Sequence, residues 1–329
     1  MKRKYLIYVL VLTLFISLLV GCKPSEITTG IKEPVEPGGV IEETPDPVKE
    51  SAVIVVDTDI DTLDPHFSAS GHQIYINIYD TLIDYNNLTD EFIPLLAEDW
   101  TISEDSLIYT FKLKKGVKFH NGEELKASDV VFSLDRIKTS PYLASYAQVM
   151  KEVTAINDYT VKVTLNEPTA PFLLNVATWF QIVNEKVVTE SGDDYGENPV
   201  GTGPYKFVSH AIGQNIVLER FDDYFQGLVP IKDVVYKIIT DKNTALIALE
   251  TGDVDFSNVI PAIARKSIID NPQLVLNETE TSSLTYLSFN LNAKPFDNVL
   301  VRKAINYAID KETIIEIAAE GLGEEAKSI

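Results

Sequence analysis

The chain contains 329 residues, of which 49 are acidic and 28 are basic, and its formal net charge is -21 at pH 7. A surface that binds nucleic acid needs clustered basic side chains, so this composition argues against a nucleic-acid partner. Hydrophobic residues make up 45% of the chain and there is one cysteine, so we expect a globular fold with an apolar core and no internal disulfide.

The start of the chain has the pattern of an export signal. Residues 2–4 are basic, residues 5–20 are apolar apart from Thr13 and Ser17, and residues 19–22 read Leu-Val-Gly-Cys. An apolar run of this length is typical of a signal peptide and is short for a membrane span. The last four residues resemble the bacterial lipobox. We therefore predict a signal peptide over residues 1–21 and lipidation of Cys22, with an ordinary signal peptide or a membrane anchor as the alternative.

The segment after the cysteine predicts a linker. Residues 23–50 are rich in Pro, Gly, Thr and Glu and have almost no aromatic or long apolar period. Such a composition is typical of disordered chains, so residues 22–50 are expected to form a lipidated, acidic tether. Two or more acyl chains hold a protein stably at a membrane. We expect an extracytoplasmic protein on the outer face of the cell membrane, in the periplasmic space or at the cell surface.

The rest of the chain predicts interspersed strands and helices. Alternating or β-branched runs predict strands over residues 51–57, 109–113, 159–165, 216–220, 234–239 and 284–291. Apolar periodicity and capping residues predict helices over residues 72–85, 129–138 with Ser128 as cap, 243–251, one capped by Asp297 and one from Asp310 to Gly321. Without strict β-α-β alternation, this order favours a mixed α/β fold with more than one lobe.

Residues 198–205 form the most unusual local segment. They contain two prolines and two glycines, which specify turns, and Gly201 and Gly203 permit a positive φ. The segment lacks the lysine and the helix of a phosphate-binding loop, because residues 205–208 predict a strand. We interpret it as a rigid crossover that leads into a strand, between lobes.

The sequence offers little support for a metal or catalytic site. None of the four histidines has zinc-like spacing with another ligand, and no serine elbow or phosphate loop is present. A cluster of aspartates, which lacks the glycine and glutamate of an EF-hand, is interpreted as a solvated acidic turn and not as a calcium site; it comprises Asp57, Asp59, Asp61 and Asp64. We expect no catalytic residue, no metal and no cofactor.

Taken together, a series of short motifs resembles the solute-binding proteins of peptide-type ABC importers, the oligopeptide- and dipeptide-binding group known as family 5. Each motif is weak alone, but their order and spacing match the family from Thr62 to about Gly323. The matching pieces are residues 63–66, 79–82, 94–100, 109–122, 127–130, 200–205, 252–255, 289–290, 295–297 and 301–305. Tyr224 and Phe225 stand where the family often has Tyr-Trp, a change that we expect to alter packing.

The resemblance implies an α/β fold of the type II periplasmic-binding-protein class, with several lobes around a ligand cleft. Lobe I would contain residues 51–72 and 185–288, and residues 73–184 would form an inserted lobe II. Residues 289–329 would begin lobe III, whose C-terminal part is expected to be missing. We therefore expect residues 51–329 alone to bind ligand poorly.

By position in the family, seven residues are candidates for the ligand cleft. They are Ser68, Ala69, Ser70, Gly71, Asn258, Thr281 and Tyr286. The family's residues vary at these places, so the resemblance implies positions and not a chemistry, and for Tyr286 a place in the core is as good an interpretation. Arg302 is expected to be a structural ion-pair partner.

The function implied is that of a lipid-anchored, monomeric binding protein that captures peptides outside the cell and delivers them to the permease of an ABC importer. Nickel, haem or an oligosaccharide are alternative ligands within the same fold, although the few histidines make a dedicated metal site a weaker hypothesis. A lipoprotein that captures a signalling peptide is a second alternative. An exported hydrolase is a third, but the nucleophile and base that it requires are not evident in the sequence.

Overall fold

A computed structural model describes residues 49–279, 283–319 and 321–326. The predicted signal peptide, Cys22 and nearly all of the predicted tether lie outside these residues. The strands are β1 Ser51–Val56, β2 Ile83–Asn86, β3 Glu91–Pro94, β4 Ala97–Ile102, β5 Ile108–Leu113, β6 Met150–Asn157, β7 Thr160–Leu165, β8 Tyr205–Ala211, β9 Asn215–Arg220, β10 Asp233–Ile238 and β11 Phe256–Ser257. The helices are α1 His72–Tyr75, α2 Ala127–Ile137, α3 Ala144–Ala147, α4 Phe172–Thr178, α5 Glu185–Ser191, α6 Lys242–Glu250, α7 Arg265–Asp270, α8 Val299–Ala308 and α9 Lys311–Ala318.

One sheet has five strands in the order β11-β1-β10-β9-β8. Strand β1 pairs in parallel with both β10 and β11, whereas β9 is antiparallel to β10 and β8. Successive side chains of a strand point to opposite faces, so Val56 and Val55 enter different cores. Because β1 is covered on both faces, its sequence is a nearly continuous apolar run.

A second sheet has four antiparallel strands in the order β4-β5-β7-β6. The alternation of β7 is complete, with Val161, Val163 and Leu165 buried and the intervening residues half-buried. Helix α2 packs against β6 and β7 and buries Val130, Leu134 and Ile137. A separate two-stranded pairing joins β2 to β3.

The chain passes from one core to another at two places. Tyr79 belongs to the core of the five-stranded sheet, and Leu82 belongs to the core of the four-stranded sheet. On the return, Ile182 is in the second core and Val183 is in the first. The two crossings are joined, since the amide of Ile182 donates to the carbonyl of Asp80 at 2.9 Å.

The glycines of the 198–205 segment are required by close packing and not by backbone conformation. Neither Gly201 nor Gly203 has a positive φ, which corrects the predicted reason for them. A Cβ on Gly203 would lie 2.6 Å from the carbonyl oxygen of Asn77, and one on Gly201 would overlap the carbonyl of Ile78. The segment therefore lies directly against the backbone of residues 77–78.

Several predicted element boundaries are wrong for local reasons. The helix predicted over residues 72–85 ends at Tyr75, and the chain turns at residues 76–78 before it enters β2. Helix α2 begins at Ala127, because Asp129 accepts a hydrogen bond from the amide of Lys126 at 2.9 Å and Ser128 is not its cap. Helix α8 is capped by Asn298, whose side chain accepts from the amide of Leu300, and not by Asp297.

The last described elements are the least buried. Residues 284–291 do not form the predicted strand, and no residue of α8 or α9 is buried in the described part of the chain. Asp310 does cap α9, as predicted, by accepting from the amide of Thr313 at 3.1 Å. Arg302 donates to the carbonyls of Phe296 and Asp297, and its predicted role as an ion-pair partner stays a prediction.

Among the residues that the structure describes, no helix is both long enough and apolar enough to cross a bilayer.

Candidate ligand-binding site

The carboxyl ends of three parallel strands define one edge of the five-stranded sheet. Strands β1, β10 and β11 run in the same direction, so the segments that follow them leave the sheet at the same edge. In open α/β sheets, ligands bind in the crevice beyond this edge. The loop of residues 57–71 follows β1, and Asn258 follows β11. Two of the predicted groups of cleft residues therefore emerge at the edge where a ligand is expected.

Asp61 organises the predicted cleft loop, residues 68–71. Its carboxylate accepts from the hydroxyl of Ser68 at 2.8 Å, from the amide of Ala69 at 3.3 Å and from the hydroxyl of Ser70 at 3.3 Å. Burial alone raises the pKa of Asp61, but the hydrogen bonds from Ser68, from the amide of Ala69 and from the amide of Thr62 outweigh it and lower the pKa. Asp61 thus ties three residues of the loop together.

The four loop residues differ in what they offer a ligand. The side chain of Ser68 is committed to Asp61 and the residue is 6% exposed, so it positions the loop. Gly71 has φ 82, and a Cβ there would lie 2.6 Å from the side chain of Ile60. Ala69 is exposed and Ser70 is half-buried, so the backbone and side chains of these two residues are the accessible part of the loop.

Asp59 and Asp64 also bind protein groups, which corrects the prediction of a solvated acidic turn. Asp59 accepts from the imidazole of His210 at 2.7 Å and from the amide of Gly213 at 2.6 Å. Asp64 is buried and accepts both prongs of the Arg136 guanidinium, at 2.8 and 2.5 Å. Three of the four aspartates are thus tied to separate partners, because the loop folds back onto the two cores.

Arg136 extends the Asp64 pair into a buried polar cluster. It also donates to Nδ1 of His66 at 3.1 Å, and Nε2 of His66 donates to the carbonyl of Gln181 at 2.8 Å. Ser140 donates to the carbonyl of His66 at 2.5 Å. These bonds join the loop after β1 to helix α2 and to the returning chain near residue 182.

An aromatic platform, defined here as His72, Tyr146 and Trp179, adjoins the cleft loop. His72 follows Gly71 directly, and its ring lies 4.8 Å from that of Trp179. Tyr146 stacks on Trp179 with an interplanar angle of 11° and is 41% exposed. The sequence did not reveal these residues because they are far apart in the chain. The available signal was the residue type, since tryptophan and tyrosine are enriched at binding surfaces.

The other predicted cleft residues lie apart from the loop or outside the described part of the chain. Asn258 is exposed and follows β11. Tyr286 is 65% exposed and lies in an irregular segment, so it is not a core residue of the described structure. Thr281 lies outside the described residues. No hydrogen bond among the described residues joins Asn258 or Tyr286 to residues 68–71.

A second buried cluster fixes the crossing at Asp80. Its carboxylate accepts from Thr202 at 2.8 Å and from Tyr224 at 3.2 Å, and burial raises the pKa of Asp80 to about 6. His120 donates through Nε2 to the carbonyl of Gly203 at 2.9 Å and accepts through Nδ1 from the amide of Gly201 at 3.3 Å. Residues 200–205 lead into β8 of the five-stranded sheet. They are therefore also bonded to His120, which follows β5 of the four-stranded sheet.

The buried His66 and the half-buried His120 are expected to stay neutral far into the acid range. Burial, above all, lowers the pKa of His66 and of His120 from 6.5 to about 4. The folded pKa lies below the unfolded one, so the unfolded chain binds the protons first, and stability falls as pH drops from about 6.5 toward 4. NMR titration of the imidazole resonances is the measurement. Inflections of both residues above pH 6 would contradict the buried, doubly bonded arrangement.

Two surface cavities lie elsewhere. One of about 460 Å³ is lined mainly by acidic side chains around Glu123 and Glu185, and one of about 540 Å³ contains three lysines. Neither is lined by a predicted cleft residue or by the aromatic platform. No group of acidic, histidine and cysteine side chains suited to a metal ion occurs among the described residues.

Comparison with known proteins agrees with this geometry. Residues 91–329 match the family described as bacterial extracellular solute-binding proteins, family 5 Middle. Heme-binding protein A of Haemophilus influenzae is 34% identical over 291 residues, which are 80% of this chain and 52% of that protein. The dipeptide-binding protein of Escherichia coli K12 is 34% identical over 284 residues, which are 77% of this chain and 52% of that protein.

A solved structure supports the same conclusion. The periplasmic binding protein DppA of Helicobacter pylori, in complex with the peptide STSA, superposes with a TM-score of 0.76 at 31% identity, over 84% of this chain and 59% of that one. The fold is thus a mixed α/β fold of the type II periplasmic-binding-protein class, as predicted. The chain belongs to family 5 of the bacterial extracellular solute-binding proteins. It spans about half the length of the curated relatives that it matches.

Proposed function

We propose that this chain is the solute-binding component of an ABC importer and that its ligand is a peptide. The observation that carries the proposal is the ordered loop of residues 68–71 beside a partly exposed aromatic platform, at the sheet edge where such folds bind ligands. The similarity to a dipeptide-binding protein and to a peptide complex supports the choice of ligand. The permease that receives the peptide is the proposed partner, and the protein acts as a monomer.

The site favours a ligand that is held mainly through its backbone. The amides of Ala69 and Ser70 donate within the loop, to Asp61 and to the hydroxyl of Ser68, so the backbone group that the loop offers to an extended peptide is the carbonyl of Ala69. The flat faces of Trp179 and Tyr146 accept apolar or cationic side chains without demanding one shape. Together these features suit a binder that tolerates varied peptide sequences.

We infer that closure over the ligand does not come from movement between the two cores. The lobes proposed are residues 51–72 with 185–288, residues 73–184, and residues 289–329. The first two are joined by the clusters around Arg136 and Asp80. A joint with this many buried polar bonds favours one rigid body. We therefore assign closure to movement of the segments after Ser257. This movement would increase the fraction of molecules in the closed form that the permease recognises.

The peptide hypothesis is tested on the full-length protein with short peptides and tryptophan fluorescence, since this chain contains two tryptophans. Binding is expected to change the emission of Trp179 and to raise the melting temperature. Trp179→Phe should abolish the fluorescence change, and Trp179→Ala should weaken affinity by about tenfold, the effect of losing one aromatic anchor.

The matched control for this experiment is Trp100→Phe, because Trp100 is the other tryptophan of the chain, lies on β4 and is not part of the aromatic platform. This variant should retain both the fluorescence change and the affinity. The peptide hypothesis fails if a broad peptide library gives no response while haem, nickel or an oligosaccharide does. Turnover of an ester, amide or glycoside that one substitution abolishes would favour the hydrolase instead. Peptide binding without any effect of the protein on uptake would favour the signalling role.

We also propose that a lipid on Cys22 anchors the protein to the outer face of the membrane. The support is the basic, apolar and Leu-Val-Gly-Cys pattern of residues 2–22. Metabolic labelling with a fatty acid should mark the wild-type chain and not Cys22→Ser, which should retain its leader or be released from the membrane fraction. Equal labelling of both chains would overturn the anchor.

A further inference from the structure

The cavity with three lysines is separate from the candidate ligand site. It has a volume of about 540 Å³ and is lined by Glu98, Lys112, Lys114, Lys115, Val117 and Phe225. Small-molecule sites are typically about 300–1,000 Å³ in volume. Residues from both the five-stranded and the four-stranded sheet regions line it. Phe225 follows β9 of the five-stranded sheet, and the lysines lie on or just after β5 of the four-stranded sheet.

The charge of this cavity opposes that of the chain as a whole. The protein carries a net charge of -21, yet residues 112–118 contain four lysines and no acidic residue. Lys112 is paired with Glu98. Lys114 and Lys115 form no side-chain hydrogen bond or ion pair within the described part of the chain, so two ammonium groups remain available to an anion.

Aromatic rings and a fixed backbone position these two ammonium groups. Nζ of Lys114 lies 5.2 Å from the ring centroid of Phe225, and Nζ of Lys115 lies 5.2 Å from that of Tyr159. The backbone that carries them is held by the amide of Lys114, which donates to the carbonyl of Leu96 at 2.9 Å. Gly116, with φ 75, makes the turn beyond them, and its amide donates to Glu124. This order reduces the entropy lost when an anion is bound.

We propose that this cavity binds a phosphate-bearing ligand. The phosphate lies between Lys114 and Lys115, and the carbon skeleton of the ligand rests on Phe225. A phosphate monoester carries about two negative charges at pH 7, which matches two unpaired ammonium groups better than a single carboxylate does. Lysine binds phosphate as a compact point charge. The same chemistry is offered by a soluble phosphoester and by the headgroup of an anionic phospholipid.

The test uses the full chain and two sources of phosphate. Glycerol 3-phosphate is titrated by calorimetry at low ionic strength, with acetate as the carboxylate control. Vesicles of phosphatidylglycerol are compared with vesicles of phosphatidylcholine in a flotation assay. Lys114→Gln combined with Lys115→Gln should weaken binding of phosphate by at least about tenfold, since each charge-assisted hydrogen bond contributes about that factor. The control is Lys151→Gln, an exposed lysine on β6 outside the cavity.

Each outcome decides the proposal. Binding of glycerol 3-phosphate that the double variant loses and Lys151→Gln retains supports a soluble ligand. A lipid headgroup is supported if the protein prefers phosphatidylglycerol vesicles, does not bind glycerol 3-phosphate, and loses the vesicle preference only in the double variant. The proposal is overturned if neither source binds, if acetate binds equally, or if the double variant behaves as wild type. Peptide binding by the double variant should be unchanged, so this result is independent of the proposed transport function.

Discussion

Replacing Arg136 by leucine is expected to lower the free energy of unfolding by about 3–5 kcal/mol, because it leaves a buried carboxylate without its partner. Asp64 would lose its ion-pair partner in a place with little solvent, and His66 would lose the donor to Nδ1. Since the same guanidinium joins the loop after β1 to helix α2, peptide affinity should fall as well. Urea unfolding followed by circular dichroism measures the first effect, and tryptophan fluorescence measures the second.

Two control variants separate burial from charge. Lys138→Leu, two residues beyond Arg136, removes a surface pair with Asp135 and should cost less than about 1 kcal/mol. Asp64→Asn added to Arg136→Leu removes the orphaned charge and keeps an acceptor for the amide of His66, so it should restore part of the loss. An Arg136→Leu variant as stable as Lys138→Leu would contradict the buried pair.

Replacing Gly201 by alanine is expected to cost about 3 kcal/mol or more, because the new Cβ would overlap the carbonyl of Ile78 and the backbone must move. The movement would also disturb the hydrogen bonds of His120 to Gly201 and Gly203. A lower melting temperature and loss of the low histidine pKa of His120 should therefore appear together. Thermal unfolding and imidazole NMR are the two measurements.

The comparison for this prediction is Gly227→Ala. Gly227 has φ 101, and no atom lies within 4 Å of the place that a Cβ would take, so only backbone strain opposes the change. That strain is about 1–2 kcal/mol for an alanine in the left-handed region. If Gly201→Ala were no more destabilising than Gly227→Ala, close packing would not be the reason for the glycine.

The parts of the fold that the sequence predicts well are those decided by neighbouring residues. The alternation of β7, the apolar run of β1 and the cap of α9 by Asp310 all depend on side chains a few positions apart. The family motifs added the fold class, which periodicity alone left as a mixed α/β arrangement. Lobe boundaries and cleft positions stay predictions that rest on the resemblance.

The sequence does not predict what depends on contacts between distant segments. Asp64 looked solvated because its partner, Arg136, lies 72 positions away. The aromatic platform has no local pattern, since His72 meets Trp179 only after the chain has passed through the four-stranded sheet and returned. Gly201 was recognised as special for a wrong reason, because a turn composition reveals glycine but not the carbonyl that approaches it.

The attachment of β1 has a mechanical consequence. Lys49 pairs with Asp255, the carbonyl of Glu50 accepts from the amides of Lys232 and Asp233, and β1 then pairs with β10 along all six of its residues. Suppose that a force pulls on the segment before Lys49 while the other strands of the sheet are held in place. This force acts along the axis of β1, so it loads the hydrogen bonds between β1 and β10 in shear. Bonds loaded in shear share the force and must fail together, whereas bonds at a peeled edge fail one by one.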